Sequence, residues 1–246
     1  HSYNMTLSRF LQKYSKGLSI KVHCQFVTFS INQQNLFKDI YGKESYMVGM
    51  SYKDFGKSSL HVPSVTHGVK LLFFGTINEY KGLDVLISAM EQLRSQGISN
   101  LSLTIAGKGS SWSSCKLLIK TQEMYNLQVR FIENNEIPDL MSSHHFLVLP
   151  YRDATQSGPL ATAVAYELPV IAPNFGCFAE TYTTDSAMLY SQGNLVETLK
   201  KVAVITNEEY QNMKAACKKV KEANSEERIA ENYIHCFNML MNKDRS

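Results

Sequence analysis

Three short stretches of this 246-residue chain combine glycine, lysine and helix-starting residues in patterns suited to a phosphate-bearing ligand. The first reads Gly75-Thr76-Ile77-Asn78-Glu79-Tyr80-Lys81-Gly82. Gly75 lets the backbone approach a ligand closely, and Lys81 stands at the start of the helix that follows. A cation beside a helix N-terminus clamps a diphosphate, because free N–H groups and positive charge act together. A lone lysine is usually an ordinary surface residue; here its position after a strand favours the binding reading. The second stretch, Gly107-Lys108-Gly109-Ser110, has the start of a dinucleotide fingerprint, but Trp112 stands where the third glycine belongs. It can still bring Lys108 to a phosphate. The third runs from Pro150 to Pro159 and includes Thr155, Gln156, Ser157 and Gly158. Pro159 suits the first helical position with Ser157 or Gly158 as cap, presenting unpaired N–H groups just past a strand. A plain strand-to-helix turn would read the same way.

Such loops do chemistry only if a sheet holds them side by side. VKLLFFG from Val69, LSLTIAG from Leu101, HFLVLPY from His145 and PVIAP from Pro169 are apolar runs expected of strands buried on both faces. VRFIE, from Val129, is expected to be the third strand of the series. Between them, LDVLISAMEQLRSQG places Leu83, Leu86, Ile87, Met90 and Leu93 on one helical face, with Gly97 beyond its end. SSCKLLIKTQEMYNL, NEIPDLMSS and GPLATAVAYE supply further helices. Alternation of this kind predicts an α/β fold, a Rossmann-like parallel sheet with helices on both faces. Ligands of such sheets bind where strands end and helices begin, at the loops after Phe74, Ala106, Glu133 and Pro150.

Before Val69 the pattern is shorter. Met5 to Lys16 suits a helix and Ser19 to Phe29 a strand. NQQNLFKDIYG predicts a helix with Leu36, Ile40 and Tyr41 on one face and Gly42 as its stop, and ESYMVGMS another short strand. A polar linker from Tyr52 to His67, with Gly56 and Pro63, marks a domain boundary. From Leu195 the chain is expected to be helical. Its last helix carries Ile229, Tyr233, Phe237 and Leu240 as a packing face, and Lys214 to Asn224 reads as a solvated helix face.

Composition excludes several classes. With 13 glycines and 6 prolines in 246 residues, neither a collagen-like nor a disordered chain is in play. A formal charge of +3 does not argue for nucleic acid. No apolar run approaches the roughly 20 residues that span a bilayer. Cys24, Cys115, Cys177, Cys217 and Cys236 are scattered without CxxC spacing, which points to reduced thiols in a cytosolic protein. His144 and His145 are adjacent, point apart on a regular element, and read as fold-stabilising or exposed residues rather than a metal pair.

FFGTINEYKGLDVLISAMEQL, LTIAGKG, VRFIENNEIPDLMSS and FLVLPYRDATQSGPLATAVAYELPVIAPNFGCFAE, taken in order, resemble the donor domain of glycosyltransferase family 4, the group 1 family with the GT-B fold. The resemblance covers roughly Val69 to Tyr182. It implies a partial, acceptor-side N-terminal domain over residues 1–62 and a nucleotide-sugar-binding domain over residues 63–228. The helix over residues 229–246 would pack back toward the first domain. It further implies that a hundred or so N-terminal residues of a normal member are missing, leaving a fragment of little activity by itself.

The resemblance also assigns roles. Lys81 would hold the donor diphosphate, with Gly75, Thr76, Asn78 and Lys108 lining the same place. Asn134 to Ile137 would contact the base through backbone, and Ser157 and Gly158 would turn N–H groups toward sugar and phosphate. Two glutamates common in the family are replaced by Ala154 and Thr162, leaving Thr162 a shorter, uncharged contact to the ribose. Asp153 would take part of the first glutamate's role and, with Gln156, is the expected catalytic pair. A basic residue often present in the first loop is replaced by Thr76 and Asn78. No metal and no cofactor is expected beyond the nucleotide diphosphate sugar as substrate.

The function implied is retaining transfer of a sugar to a glycan or lipid-linked acceptor during surface polysaccharide assembly. It is expected in the cytoplasm at the inner face of the membrane, with peripheral membrane contact and no nucleic-acid partner. The alternative is an inactive nucleotide-sugar-binding or scaffold module of the same fold, which the missing glutamates would suit. An NAD-dependent oxidoreductase is disfavoured by the broken glycine fingerprint and the absence of an acidic ribose anchor.

Overall fold

A computed structural model describes residues 24–62, 64–154 and 156–243. The helix expected over Met5–Lys16, the first part of the strand expected from Ser19, Pro63 and Thr155 lie outside the described residues. The chain divides into two compact units, residues 1–49 with 232–246, and residues 50–231.

In the first unit, β1 (Val27–Thr28) runs parallel to β2 (Tyr46–Met47), with α1 (Ile31–Tyr41) between them in sequence. Ser30 caps α1 by accepting from the Gln33 N–H at 3.1 Å. Gly42 ends it in the left-handed region, its N–H donating to the Lys38 carbonyl at 2.7 Å. The Asn232 side-chain amide donates to the Val48 carbonyl at 3.0 Å.

The second unit is built on six parallel strands in the order β5-β4-β3-β6-β7-β8. These are β3 (Val69–Phe74), β4 (Leu101–Ala106), β5 (Tyr125–Gln128), β6 (Phe146–Val148), β7 (Val170–Pro173) and β8 (Ala187–Tyr190). The apolar runs are continuous because both faces are covered. Leu71 and Phe73 enter one core with Leu83, Leu86, Met90 and Leu199, while Leu72 enters the other with Leu140, Leu160 and Phe178. Neighbouring strand residues thus serve opposite layers, as the two-residue repeat requires.

The helices are α2 (Leu83–Ser95), α3 (Trp112–Lys116), α4 (Ile137–Ser142), α5 (Gly158–Ala165), α6 (Gly176–Thr181), α7 (Leu195–Ala203) and α8 (Asn207–Ala223), followed by α9 (Glu226–Lys243). Thr206 and Glu209 form a reciprocal cap at the start of α8, each side chain accepting from the other's backbone N–H. Among the described residues, no helix is long and apolar enough to cross a membrane.

Several expectations need correction. The third strand is Tyr125–Gln128, not Val129–Glu133, and it pairs Leu103 with Tyr125 and Ala106 with Gln128. The helix expected over residues 113–127 stops early, with α3 ending at Lys116. Glu91 explains both, because its carboxylate accepts from the Lys120 and Thr121 N–H groups and from the Thr121 and Tyr125 hydroxyls. Those amides cannot then continue a helix, and the next residues are delivered to the sheet. The strand Ala187–Tyr190 has no counterpart among the expected elements; it lies at the sheet edge beside β7. The apolar stripe of α9 is also shifted. Phe237 is 60% exposed while Cys236 is buried, so the covered line runs through 229, 236 and the half-buried 233 and 240.

The histidines are structural. The His144 imidazole donates from Nδ1 to the Leu140 carbonyl at 2.7 Å and accepts the Thr104 hydroxyl at Nε2, also at 2.7 Å. Burial lowers its pKa to about 4, which keeps it neutral. His145 accepts the Lys70 N–H at 2.9 Å.

Candidate functional site

Strand order reverses between β3 and β6, so the loops leaving their carboxyl ends diverge and open a crevice. The β3 loop is braced from one side by the β4 loop. Gly75 N–H donates to Ala106, Ile77 N–H to Lys108, and Ser111 N–H to Ile77, at 2.9–3.1 Å. Gly107 has φ 141°, and a Cβ there would overlap the Gly75 carbonyl. The glycines of Gly107-Lys108-Gly109 therefore serve backbone-to-backbone packing of two loops. This accounts for the pair without a dinucleotide.

Glu79–Lys81 forms one turn of 3-10 helix, and Gly82, in the left-handed region at φ 66°, passes the chain into α2. That turn buries Lys81, a residue only 6% exposed. Its ammonium lies 5.1 Å from the Tyr151 ring centre and 5.9 Å from that of Tyr80. The two rings meet edge to face. No carboxylate pairs with Lys81 among the described residues, and desolvation pushes its pKa down to about 8. Gly75 makes room for the amine: a Cβ there would stand 3.2 Å from Lys81 Nζ and 3.2 Å from the Pro159 ring. The first loop and the start of α5 thus meet at Gly75.

Ser157 caps α5. Its hydroxyl accepts the Leu160 N–H at 3.3 Å and donates to the Tyr151 hydroxyl at 3.3 Å. Among the described residues the Ser157 and Gly158 N–H groups carry no hydrogen bond, so they form the open positive end of the helix. Asp153 and Gln156 are exposed in the same loop, and Ala154 is buried. Thr162 is buried too, its hydroxyl donating back to the Gly158 carbonyl at 3.1 Å.

The remaining residues singled out by sequence lie along neighbouring loops. Thr76 is exposed and Asn78 half-buried, next to the Lys81 turn. Lys108 is exposed and places its ammonium 5.6 Å from the Phe131 ring centre, which joins the second loop to the one after β5. There Asn134 is exposed while the Ile137 side chain packs in the core. Arg130 grips Glu136 with both guanidinium nitrogens, and Glu133 and Glu136 complete a reciprocal cap. Among the described residues, no group of three or more His, Cys, Asp or Glu could hold a metal ion.

The sequence profile of the glycosyl transferases group 1 matches residues 68–207, over half of the chain and all of the loops above. This chain belongs to the group 1 glycosyltransferases. Among its relatives is a GDP-mannose:glycolipid 4-beta-D-mannosyltransferase of Xanthomonas campestris pv. campestris, 30% identical over 114 residues. That match covers 45% of this chain and 32% of the relative. A Rickettsia africae glycosyltransferase has the same fold at a TM-score of 0.74 and 14% identity, covering 92% of this chain and 66% of that one. Anabaena HepE, solved in complex with UDP and glucose, superposes at 0.70 with 13% identity, over 92% of this chain and 65% of its own. The chain therefore spans less than two thirds of the length of these relatives.

For a group 1 glycosyltransferase, two features of the crevice escape sequence reading. Tyr151 joins the Lys81 ammonium to the Ser157 cap, and Arg152 bonds Asp84, 68 residues away. Neither has a local signal, since each contact is made only when the β3 and β6 loops come together.

Proposed function

We propose that this chain is the donor-binding half of a retaining glycosyltransferase, working without a bound metal. It would transfer a sugar from a nucleotide diphosphate sugar to a glycan or lipid-linked acceptor, during surface polysaccharide assembly at the inner face of the membrane. One observation carries the reading. Lys81 is a buried ammonium without an acidic partner among the described residues, set beside the open N-terminus of α5 in the switch-point crevice. Burying an unpaired cation is costly, and a diphosphate would supply the missing charge. In the reaction, the bond from the anomeric carbon to the diphosphate oxygen breaks and its electron pair leaves with the diphosphate. The acceptor oxygen bonds to the anomeric carbon and passes its proton to the departing diphosphate oxygen. Lys81 and the Ser157 and Gly158 N–H groups would stabilise the charge that develops on the leaving group. Gly75, Thr76, Asn78 and Lys108 would flank it, and Asn134 and Ile137 would border the base. Asp153 and Gln156 are the proposed sugar-side pair.

Titration of the chain with UDP, GDP and NADH by calorimetry tests this. Binding of one nucleoside diphosphate that is lost in Lys81→Ala supports it, whereas binding of NADH alone overturns it. A second reading, donor binding without transfer, is favoured by Ala154 and by Thr162, whose hydroxyl is already engaged within α5. Retained donor affinity with no sugar transfer by the full-length protein would select it.

A further inference from the structure

The 79–84 segment that carries Lys81 has little to hold it in place by itself. A single 3-10 turn makes few internal bonds, and Glu79 and Tyr80 are exposed. Arg152, from the neighbouring β6 loop, supplies what is missing. Its backbone N–H donates to the Tyr80 carbonyl at 2.8 Å. Its guanidinium donates to the Glu79 carbonyl and to both Asp84 carboxylate oxygens, at 3.0 and 2.6 Å for the latter two. One residue thus binds the chain before and after Lys81. Among the described residues, no other side chain hydrogen-bonds any part of 75–82. Close packing completes the junction, since a Cβ on Gly82 would overlap the Pro150 carbonyl.

We infer that Arg152 is a positioning residue, which pins the 79–84 segment to the β6 loop so that the Lys81 ammonium stays buried against Tyr151. Its consequence for ligand binding rests on the diphosphate reading given above. Arg152 is suited to this by shape. A planar fork can meet a carboxylate with two bonds and a carbonyl with a third, which a lysine cannot. Its charge is matched by Asp84, so it adds no net charge to the crevice. The pair is 41% exposed on each side, so its contribution to global stability is small.

The test uses Arg152→Met, Arg152→Lys and Asp84→Asn in this chain, with two readouts. The first needs no ligand: the Lys81 side chain is titrated by carbon NMR, its signal assigned with Lys81→Met. The unaltered amine is expected at about 8, and Arg152→Met should move it toward the ordinary 10.5 as the ammonium escapes into water. An amine that titrates unchanged in Arg152→Met overturns the inference. The second readout is calorimetric binding of UDP and GDP. Arg152→Met and Asp84→Asn should each weaken it about tenfold or more, with Arg152→Lys no better. If Arg152 instead touched the ligand, Asp84→Asn would free its charge and tighten binding, which also overturns the inference. Melting temperatures within about 2 °C of the parent show that the variants fold. Should Arg152→Met not fold, Arg152→Lys carries both readouts. Binding that survives Lys81→Met would sink the diphosphate reading alone, and the NMR titration would still decide the positioning role.

Discussion

Lys81 and Tyr151 face each other across the switch-point crevice, the ammonium 5.1 Å from the ring centre, on loops that leave different strands. The contact is a partial remedy. A ring face attracts a cation, but by less than the hydration the ammonium has lost. Lys81 is therefore held in a strained electrostatic state by the packing around it.

Lys81→Met should consequently stabilise the empty protein. A fall in pKa from 10.5 to about 8 corresponds to roughly 3 kcal/mol of unfavourable burial of the charged form. Methionine fills similar space without that cost, so a gain of about 1–3 kcal/mol in urea denaturation is expected. Nucleoside diphosphate binding should be lost in the same variant. A destabilised Lys81→Met would show that the lysine serves the fold instead.

The pH dependence has a definite sign. Between about 8 and 10.5 the unfolded chain carries a proton on Lys81 that the folded chain lacks. Stability should then rise with pH across that window, and the difference between the parent and Lys81→Met should shrink toward pH 10.5. Below about 8 the penalty is fully present. Ligand binding runs the other way and should weaken as the ammonium deprotonates above about 8. Denaturation and calorimetry at pH 7, 8.5 and 10 check both slopes.

Much of this arrangement is legible in the amino-acid sequence itself. Continuous runs such as VKLLFF and LSLTIA allow only doubly covered strands, and Ser157 with Pro159 marks a helix start by local stereochemistry. The segment ending in Tyr125 departs from its local helical pattern because its fate depends on Glu91, thirty-four residues earlier, whose carboxylate takes the amides a helix would use. β8 is only four residues long, with Ala187 and Tyr190 buried and Met188 and Leu189 half-buried, so it shows neither the long apolar run of a central strand nor a clean alternation. Tyr151, Arg152 and Asp84 give no signal for the same reason of distance: nothing in a loop's own residues tells which other loop it will touch.

Ser157→Ala should reveal whether the α5 terminus matters to binding. Loss of the hydroxyl removes the cap on the Leu160 N–H, a cost of about 1 kcal/mol, and frees Tyr151 from its partner. Fraying of that turn should weaken nucleoside diphosphate binding several-fold. Ser157→Asp restores a cap but places a negative charge beside the site, so it should recover stability and not binding. Recovery of both would mean that the terminus does not meet an anion.

Gly107→Ala probes loop-to-loop packing without touching a charge. The added methyl group would meet the Gly75 carbonyl in a backbone conformation that already disfavours side chains. A loss of at least about 2 kcal/mol is expected, since neither loop can yield without breaking the Ile77–Lys108 hydrogen bond. Gly97→Ala is the control, sharing positive φ but having open space around it, and should cost less. Equal losses would reduce the effect to backbone strain alone.

Glu91 offers the complementary case, a residue that matters to the sheet and not to the crevice. Burial by itself would raise its pKa, but N–H groups from Lys120 and Thr121, together with the Thr121 and Tyr125 hydroxyls, hold the carboxyl below its ordinary value. For a depressed acid, this stabilisation is present above the unfolded pKa and is lost as pH falls through the folded one. Glu91→Ala leaves several donors unsatisfied at once and should cost about 2–3 kcal/mol. The loss should show first as faster amide exchange in β5, whose register Glu91 sets by fixing Tyr125 opposite Leu103. Binding of nucleoside diphosphate to the fraction that remains folded should be unchanged, because the Lys81 turn takes its support from the β4 and β6 loops. Weakened binding in this variant would mean that the β5 edge and the crevice are mechanically linked.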